Sequence, residues 1–566
     1  MQKKQTILVV ASLLVVVLSV TLAYFTAQII GKGKDVTINS ADLKIIFTDS
    51  DGSISGSNIE PGKWNVTKTF TIENKSNETY KYNIVIQDLI NTFVTNGYLQ
   101  YKITSTNGGY NMTEFKDVPK SSAATDTILA YSVSIPVGVT QSYTVEFIYK
   151  NDESIDQSDD MGKTLSGKLF ITEGTINIYA GYEKATLGYQ IMSDNPKRST
   201  RSNNNNGTND FATHLTATTT GTLFTGTESI TGITDSPKEV YYYAGNTTNN
   251  WVKFGTFASE GPIRGYYSEN SSLFEEYTTL EECNSASSYN TNCSYAWRKG
   301  DPMYWRIIRT NHDGSIRLLY SGTSPDTRSG NIGKSTFNTS TNSPKYVGYK
   351  YGEDTSLDTI RNNTTDSTIK EFIDSWYKNN LINNTKYLST SAVYCNDRSL
   401  GTDQTYNYAS SPTSRFNFAP YYRMDFDTDG AKANPSYNCT DIRDAFSADN
   451  TSAKLDYPVS LMTADEIAFA GGVAYQTMNT PYAWFTINSA GTWVSSDWWS
   501  LSPFSWYGSG SFAWYWYTSD LRLKCLNMFV HSTVRPVLSL KSCTQYNTGD
   551  GSATNPYTIL ETETGC

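Results

Sequence analysis

The stretch from Pro481 to Asp520 reads PYAWFTINSAGTWVSSDWWSLSPFSWYGSGSFAWYWYTSD and holds seven of the chain's twelve tryptophans. Tryptophan and tyrosine rings supply a large contact area at little cost in side-chain entropy, and the interleaved Ser, Gly, Asn and Asp residues supply adaptable hydrogen bonds. This composition is typical of a recognition surface, and it predicts that the chain binds a ligand.

The aromatic residues of this stretch are expected to divide between core and surface. The motif WWSLSP, residues 498–503, has the character of a scaffold element and is expected in the core. From Phe512 to Tyr517 five of six residues are aromatic, and neither a strand nor a helix can turn all of them toward one core. We therefore expect several rings, those of Trp506, Trp514 and Trp516 among them, to face outward. The predicted ligand-binding residues are Ser505, Trp506, Tyr507, Ser509, Ser511, Phe512, Trp514, Tyr515, Trp516, Tyr517, Ser519, Asp520, Arg522, Asn527 and His531.

Length and composition indicate several β-rich modules. A chain of 566 residues is too long for one core, so we expect two or three domains. Charged residues make up only 18% of the chain and aromatic residues 13%, which is typical of extracellular β-proteins. The net charge of −10 is spread thinly, without a Lys/Arg stripe that could release counterions, so nucleic acid is not an expected partner.

Residues 1–31 have the character of a targeting segment. Lys3 and Lys4 precede an uncharged run from Gln5 to Gly31, which is long enough to span a bilayer as a helix. The run also has the basic start and apolar middle of a secretory signal, with Thr21-Leu22-Ala23 as a cleavage site. A single-pass membrane anchor and a cleaved signal are both open, and either would place the rest of the chain outside the cell.

Seven cysteines fit an exported chain. No CxxC occurs, so a zinc knuckle and thioredoxin chemistry are not expected. Local spacing favours three disulfides and leaves Cys525 over, although sequence alone leaves other connectivities open. The favoured pairs are Cys283 with Cys293, Cys395 with Cys439, and Cys543 with Cys566.

Residues 35–174 alternate apolar and polar positions with a period of two, and turn signals such as Asp51-Gly52 and Pro61-Gly62 separate the runs. This pattern predicts an antiparallel β-sandwich. The stretches AYFTAQ, NSADLKI, NIEPGKWNVTKTFTIENKSNETYKYNI and GKTLSGKLFITEG resemble the TasA/camelysin family of exported bacterial surface and biofilm-fibre proteins. The resemblance implies a jelly-roll-like sandwich. A fibre subunit that self-assembles through its sheet edge near residues 36–47 is therefore an alternative function.

Residues 175–235 are expected to form a linker or an extended segment, because they contain the low-complexity run RSTRSNNNNGTN. A second globular unit is predicted over residues 236–543, followed by a disulfide-tied tail over 544–566. Within this unit YWRIIR and IRLLY predict a hairpin, residues 367–381 an amphipathic helix, and TADEIAFAG a short capped helix.

The stretches YYYAGNTTNNWVKFG, YWRIIRTNHDGSIRLLY, AVYCNDRS, LMTADEIAFAGG and VRPVLSLKS resemble a family of exported domains from Gram-positive gut bacteria. The order of helix, TADE-type helix, WWSLSP and terminal VRPV is also similar to the C-type-lectin-like fold of the formylglycine-generating-enzyme superfamily. The resemblance implies an α+β ligand-binding domain in a mainly β multidomain chain. The enzymes' activity is not implied, since no matching catalytic cysteine pair is seen.

Lectin-like folds host diversity-generating retroelements, which randomise adenines in a C-terminal coding segment. Mutated AAC and AAT codons give Asn, Ser, Tyr, Asp, Phe, Ala, Gly, Leu, Arg, Cys and His, but never Trp or Lys. Residues 505–533 are rich in that set around a frame of Trp506, Trp514, Trp516, Lys524 and Met528. The segment is therefore a candidate hypervariable surface, with an ordinary loop of unusual composition as the alternative.

The run from Asp425 to Gly430 has the D-x-D-x-D-G opening of a calcium loop, with Asp425, Asp427 and Asp429 as candidate ligands. An EF-hand needs Glu at the twelfth position, where Ser436 stands, so an acidic surface turn is the favoured interpretation and calcium the weaker one. No other cofactor is expected.

The sequence predicts no catalytic site. The three histidines, His214, His312 and His531, are isolated, so a Ser-His-Asp or Cys-His arrangement is not expected. We therefore expect a non-catalytic, adhesin-like protein of the bacterial cell surface that binds an extracellular protein or glycan. A glycan-active enzyme is the least favoured alternative.

Overall fold

The computed structural model describes residues 36–37, 43–47, 53–55, 59–95, 97–173, 181–204, 208–267, 272–286, 292–327, 330–411, 413–428, 431–480, 484–487, 495–563 and 565–566. The chain is mainly β, with 38% strand and 12% helix. It divides into two compact units, Met1–Asn177 and Ile178–Cys566. No helix in the described ranges is long and apolar enough to cross a membrane, and the predicted signal or anchor, residues 1–31, lies outside those ranges.

The first unit is built from antiparallel strands in two sheets. Its strands are β1 (Val36–Thr37), β2 (Leu43–Phe47), β3 (Ser53–Ser55), β4 (Asn65–Asn74), β5 (Tyr80–Asn91), β6 (Leu99–Ser105), β7 (Lys116–Asp117), β8 (Ser121–Ile135), β9 (Thr140–Tyr149) and β10 (Leu165–Glu173), with a 3-10 turn at Ser158–Asp160. One sheet has the order β1-β2-β4-β9-β6-β7 and the other β3-β10-β5-β8.

The two sheets of the first unit share one hydrophobic core. Phe70 and Val145 enter it from the six-stranded sheet, and Ile84 and Leu169 enter it from the four-stranded sheet. Strand β9 alternates buried and more exposed residues, as the period of two predicts for a strand with one solvated face. The segment proposed for self-assembly, β1 with β2, lies at one edge of the six-stranded sheet.

The second unit contains the remaining strands and all the described α-helices. Its helices are α1 (Leu187–Asp194), α2 (Leu280–Ser285), α3 (Leu357–Ile360), α4 (Thr368–Asn380), α5 (Ala419–Arg423) and α6 (Ala464–Phe469), with 3-10 turns at Pro344–Val347, Ile382–Tyr387 and Thr451–Ala453. Its first strands are β11 (Lys197–Thr200), β12 (Asn203–Asn204), β13 (Thr208–Asn209), β14 (Thr222–Glu228), β15 (Lys238–Tyr242), β16 (Trp251–Thr256), β17 (Ile263–Tyr266), β18 (Phe274–Tyr277), β19 (Asn292–Tyr295), β20 (Pro302–Thr310), β21 (Ile316–Gly322), β22 (Lys334–Ser335) and β23 (Lys350–Tyr351). The later strands are β24 (Thr365–Asp366), β25 (Tyr394–Cys395), β26 (Arg415–Asn417), β27 (Ala445–Phe446), β28 (Val459–Leu461), β29 (Trp498–Tyr507), β30 (Gly510–Tyr517), β31 (Arg522–Asn527), β32 (Ser532–Thr533), β33 (Pro536–Leu540), β34 (Tyr546–Thr548) and β35 (Tyr557–Ile559).

Two large sheets organise this unit. The first follows the path β11-β14-β15-β20-β16-β35-β34 and branches from β20 through β21 and β33 to β28. The second has the order β22-β32-β29-β30-β31, and β26 also pairs with β29. Three predicted elements are confirmed here. They are the hairpin β20–β21, the helix α4 capped by Ser367, and the helix α6 with a capping box at Thr463.

The predicted linker over residues 175–235 is wrong, because much of it is part of the second unit. Leu187 of α1 and Leu223 of β14 are buried in its main core, and β14 pairs along its length with β15. Two asparagines of the polar run make defined hydrogen bonds: Asn203 and Asn209 donate to the carbonyl of Ala433 at 2.8 and 3.1 Å. Amide side chains that satisfy a carbonyl give a polar run a structured role that composition alone does not reveal.

The segment 544–566 is also more than a tail. Strand β35 pairs in parallel with β16, and Tyr557 is fully buried in the main core. The three predicted disulfides are confirmed, as Cys283–Cys293, Cys395–Cys439 and Cys543–Cys566, and Cys525 is the free cysteine. Such disulfides fit an extracellular or otherwise oxidising compartment.

Buried ion pairs join helix α6 to the β20–β21 hairpin. Arg309 donates to Glu466 at 2.9 Å and to Glu228 at 2.8 Å, and Arg317 also donates to Glu466. Burial alone would raise the pKa of the Glu466 carboxyl, but Arg317 and Arg309 hold it below its usual value. All four side chains are almost completely buried, so removing one member would leave an uncompensated charge in the core.

Candidate ligand-binding site

Strands β29 and β30 of the tryptophan-rich stretch, with the following strand β31, form the three-stranded antiparallel core of the second large sheet. Strand β29 pairs with β30, and β30 pairs with β31 through partners such as Trp514 with Cys525 and Tyr515 with Lys524. Because successive side chains of a strand point to opposite faces, Trp514 and Trp516 share one face while Tyr515 and Tyr517 share the other. The aromatic run therefore does divide between two faces.

The three indoles that were expected to face outward are buried instead. Trp506, Trp514 and Trp516 each have a relative exposure of 0%. The prediction that these rings face outward is therefore wrong, and their side chains belong to the core, as do those of Trp498 and Trp499. A ligand that contacts the folded surface does not reach these three indoles.

The inner face is closed by other aromatic rings of the same stretch and by Phe426, which packs on Trp514 with ring centroids 5.8 Å apart. Trp514 packs edge-to-face on Phe504 with ring centroids 4.7 Å apart, and Trp516 packs on Phe485 at 4.8 Å. Gly472 lies so close that a Cβ atom there would be 3.0 Å from the Trp516 ring. These contacts form a well-packed aromatic layer beneath the sheet, which makes the strands a rigid platform.

The remaining predicted residues differ widely in exposure. Ser505, Ser511 and Tyr515 are buried; Tyr507, Phe512, Tyr517, Asp520, Arg522 and Asn527 are partly exposed; Ser509, Ser519 and His531 are exposed. The surface part of the predicted site therefore consists of tyrosine, phenylalanine, and small or polar side chains, without the tryptophans.

Charged contacts order the turn between β30 and β31. Asp520 pairs with Arg522 at 2.9 Å and with Lys524 at 2.7 Å, and the Lys524 ammonium lies 3.9 Å from the centre of the Tyr517 ring. These partly exposed interactions each contribute little to stability but favour one arrangement of the turn.

A groove of 890 Å³ lies beside this turn, and we call it the hairpin groove. Its lining residues come from four separate parts of the chain: Ser272, Leu273, Glu275, Lys334, Ser496, Asp497, Thr518, Ser519, Leu526, Val530, His531, Ser532 and Thr533. Of the predicted site residues, the groove brings together Ser519 and His531. Its volume falls within the range of ligand-binding pockets.

Asp497 ties two walls of the hairpin groove together. Its carboxylate accepts from the backbone N–H of Thr518 at 2.8 Å, and its carbonyl accepts from the N–H of Thr533 at 3.0 Å and the hydroxyl of Ser532 at 2.8 Å. Burial raises the pKa of the Asp497 carboxyl, and the N–H of Thr518 opposes that shift. The walls are thus fixed to each other by hydrogen bonds around one residue.

Sequence reasoning missed several groove residues. Leu273 and Lys334 lie more than a hundred residues before the aromatic stretch, and no local pattern marks them as neighbours of it. Asp497 does lie within the stretch, directly before WWSLSP, and its position among the rings was the one available signal.

The D-x-D-x-D-G motif does not gather its carboxylates in the described residues. Asp425 accepts from the hydroxyl of Thr428 and from the backbone N–H of Lys432, whereas Asp427 accepts from the Tyr421 hydroxyl. Asp429 lies outside the described residues. The two described aspartates serve different hydrogen bonds, which favours the acidic turn over a calcium loop.

One carboxylate cluster in the described residues has metal-like spacing, namely Asp366, Asp374 and Asp456. The ammonium of Lys370 lies among them, at 2.9, 2.5 and 2.8 Å from one oxygen of each. The lysine supplies the positive charge that this cluster needs, so we assign the cluster a structural role.

Comparison with known proteins does not name a family for this chain. No family model matches the sequence, and a search of curated proteins finds no significant match. The hairpin groove and the sheet that carries it are therefore interpreted from their own chemistry.

Replacing one buried indole should destabilise the fold far more than replacing an outer ring. We expect Trp514→Ala to lower the free energy of unfolding by about 3–5 kcal/mol, because it leaves a cavity beneath the sheet. The matched variant Tyr517→Ala, on the opposite face, should cost about 1 kcal/mol or less. Urea unfolding followed by near-ultraviolet circular dichroism measures both; equally small losses would place the indole at the surface.

Proposed function

We propose that this chain is a non-catalytic, exported ligand-binding protein of adhesin type, and that the hairpin groove is its binding site. The observation that carries the proposal is that β29 and most of β30 are buried, whereas the adjoining strand β31 and the turn before it leave partly exposed side chains beside the groove. A binding surface needs such a rigid support, because side chains that are already ordered lose less entropy when a ligand binds.

The same contrast in burial supports the hypothesis of a hypervariable segment. Trp506, Trp514, Trp516 and Met528, which mutated AAC and AAT codons do not produce, are all 0% exposed. Most residues of the codon set, Tyr507, Tyr517, Ser519 and His531 among them, are at least partly exposed. The residues of the set that are buried and depart from this pattern are Ser505, Gly508, Gly510, Ser511, Ala513, Tyr515, Leu521, Leu523 and Ser532. Lys524 of the frame departs from it too, because it is partly exposed. A segment built this way could change its surface while its core stays intact.

The rim of the hairpin groove favours a protein ligand over a small molecule. Leu273 on the rim is 55% exposed, and Phe529, next to the lining residue Val530, is 53% exposed. Exposed apolar side chains around a polar groove are typical of protein–protein contact sites. We therefore propose an extracellular protein as the partner.

The finer assignments belong to the same proposal. We propose that the first unit is a jelly-roll-like sandwich of the TasA type and that the second is a C-type-lectin-like domain. The disulfides support an extracellular location, and residues 1–31 would act either as a membrane anchor or as a cleaved signal.

A binding experiment with matched variants tests the groove. The full-length chain would be probed against an array of secreted and cell-surface proteins, together with Ser519→Arg/His531→Ala and the control Ser509→Ala. All three positions are exposed, so folding should be unaffected. Some array proteins should bind both the unaltered chain and the Ser509→Ala control. For these, we expect the double variant to lose about 2 kcal/mol or more of binding free energy, roughly 30-fold in affinity. Retention of every interaction by the double variant would contradict the groove as the site.

The DNA beside the gene tests the hypervariable segment. We expect a repeat nearly identical to the coding sequence of residues 505–533 that differs from it only at adenines, and a reverse transcriptase gene nearby. If both are missing, the segment is an ordinary part of the domain, and the binding proposal then rests on the groove alone.

A further inference from the structure

A second pocket of 770 Å³ in the same unit shares no lining residue with the hairpin groove. Segments 403–407, 413–417 and 421–427 form most of its wall, and Tyr507, at the end of β29, completes it. Four of its lining residues are tyrosines, so we call it the tyrosine pocket. The proposed function uses none of its lining residues except Tyr507, which belongs to the candidate hypervariable segment.

The rings of the tyrosine pocket are held in place by the fold. The Tyr406 hydroxyl donates to the carbonyl of Asp354 at 3.0 Å, and the Tyr406 ring packs on Phe416 at 5.3 Å. Tyr421 packs on Tyr422 at 5.2 Å, and Tyr422 remains 36% exposed. Ordered, partly exposed rings offer apolar faces at low entropic cost, and such faces suit the C–H face of a sugar ring.

The polar groups between these rings are planar, and the hydrogen bonds within the protein use only part of their capacity. Gln404 accepts from the backbone N–H of Asn417 at 3.1 Å through its side-chain carbonyl. This bond does not use the NH₂ group of Gln404. Asp427 accepts from Tyr421 through one oxygen. In the described part of the chain Arg415 makes no ion pair. Amide, carboxylate and guanidinium groups can each bind two adjacent hydroxyls, because a hydroxyl both donates and accepts.

The lining of the pocket offers groups of both signs. It carries the carboxylates of Asp403 and Asp427 and the guanidinium of Arg415, and the hydroxyls of a neutral sugar can donate to the former and accept from the latter. A volume of 770 Å³ also exceeds what a single ion or water-sized group would need.

We propose that the tyrosine pocket binds a short neutral oligosaccharide, with the rings stacking on sugar faces and Gln404, Arg415 and Asp427 binding hydroxyls. This site is separate from the hairpin groove and would let the chain hold a glycan while the groove holds a protein.

Calorimetry with the purified full-length chain tests the proposal. The probes are maltotriose, cellotriose, mannotriose and chitotriose, with the dipeptide Gly-Tyr as a non-sugar competitor. We expect at least one trisaccharide to bind, and Tyr422→Ala to weaken it by about tenfold or more. Thr413→Trp, at an exposed rim position, should block the pocket by filling it. It keeps the test valid if Tyr422→Ala fails to fold.

His531→Ala, in the hairpin groove, is the matched control and should bind the trisaccharide as the unaltered chain does. The proposal is overturned if no probe sugar binds, if the folded pocket variants bind as well as the unaltered chain, or if only Gly-Tyr binds. Because the control lies in the other site, failure here leaves the groove proposal standing, and failure of the groove leaves this one standing.

Discussion

The burial of three indoles within one sheet is the constraint on which the candidate site depends. Trp516 packs on Phe485, Trp514 packs on Phe504 and on the more distant Phe426, and Trp506 is likewise 0% exposed. Once these indoles face inward, the period of two in β30 turns Tyr515 and Tyr517 the other way. The core thereby decides which side chains of the segment can meet a ligand.

A second set of constraints positions the rest of the unit around that sheet. Glu466 accepts from Arg309 and Arg317, and Arg309 also donates to Glu228. Helix α6 is therefore joined to the first large sheet through buried charges. Residues of β28, β29 and α6 contribute to the same hydrophobic core. Buried, satisfied ion pairs favour one arrangement of the elements. A groove lined by distant segments keeps its shape only if those segments hold fixed positions.

Features with local signals were predictable from the sequence. The hairpin β20–β21, the capped helices α4 and α6 and the three disulfides follow from alternation, capping residues and cysteine spacing, and all are confirmed. The exposure of the indoles was not predictable, because it depends on partners such as Phe485 that sequence does not place opposite them. The same applies to Leu273 and Lys334 in the groove and to the hydrogen bonds of Asn203 and Asn209 to Ala433. Composition drew attention to this segment but assigned its indoles to the wrong side.

Hydroxyl-radical footprinting read by mass spectrometry tests this account most directly. Oxidation of each side chain in the folded chain would be normalised to its oxidation in urea, which removes the high intrinsic reactivity of tryptophan. The account predicts strong protection of Trp506, Trp514 and Trp516 and ready oxidation of Tyr517, Phe529 and His531. Oxidation of any of the three indoles at the normalised rate of Tyr517 would contradict it.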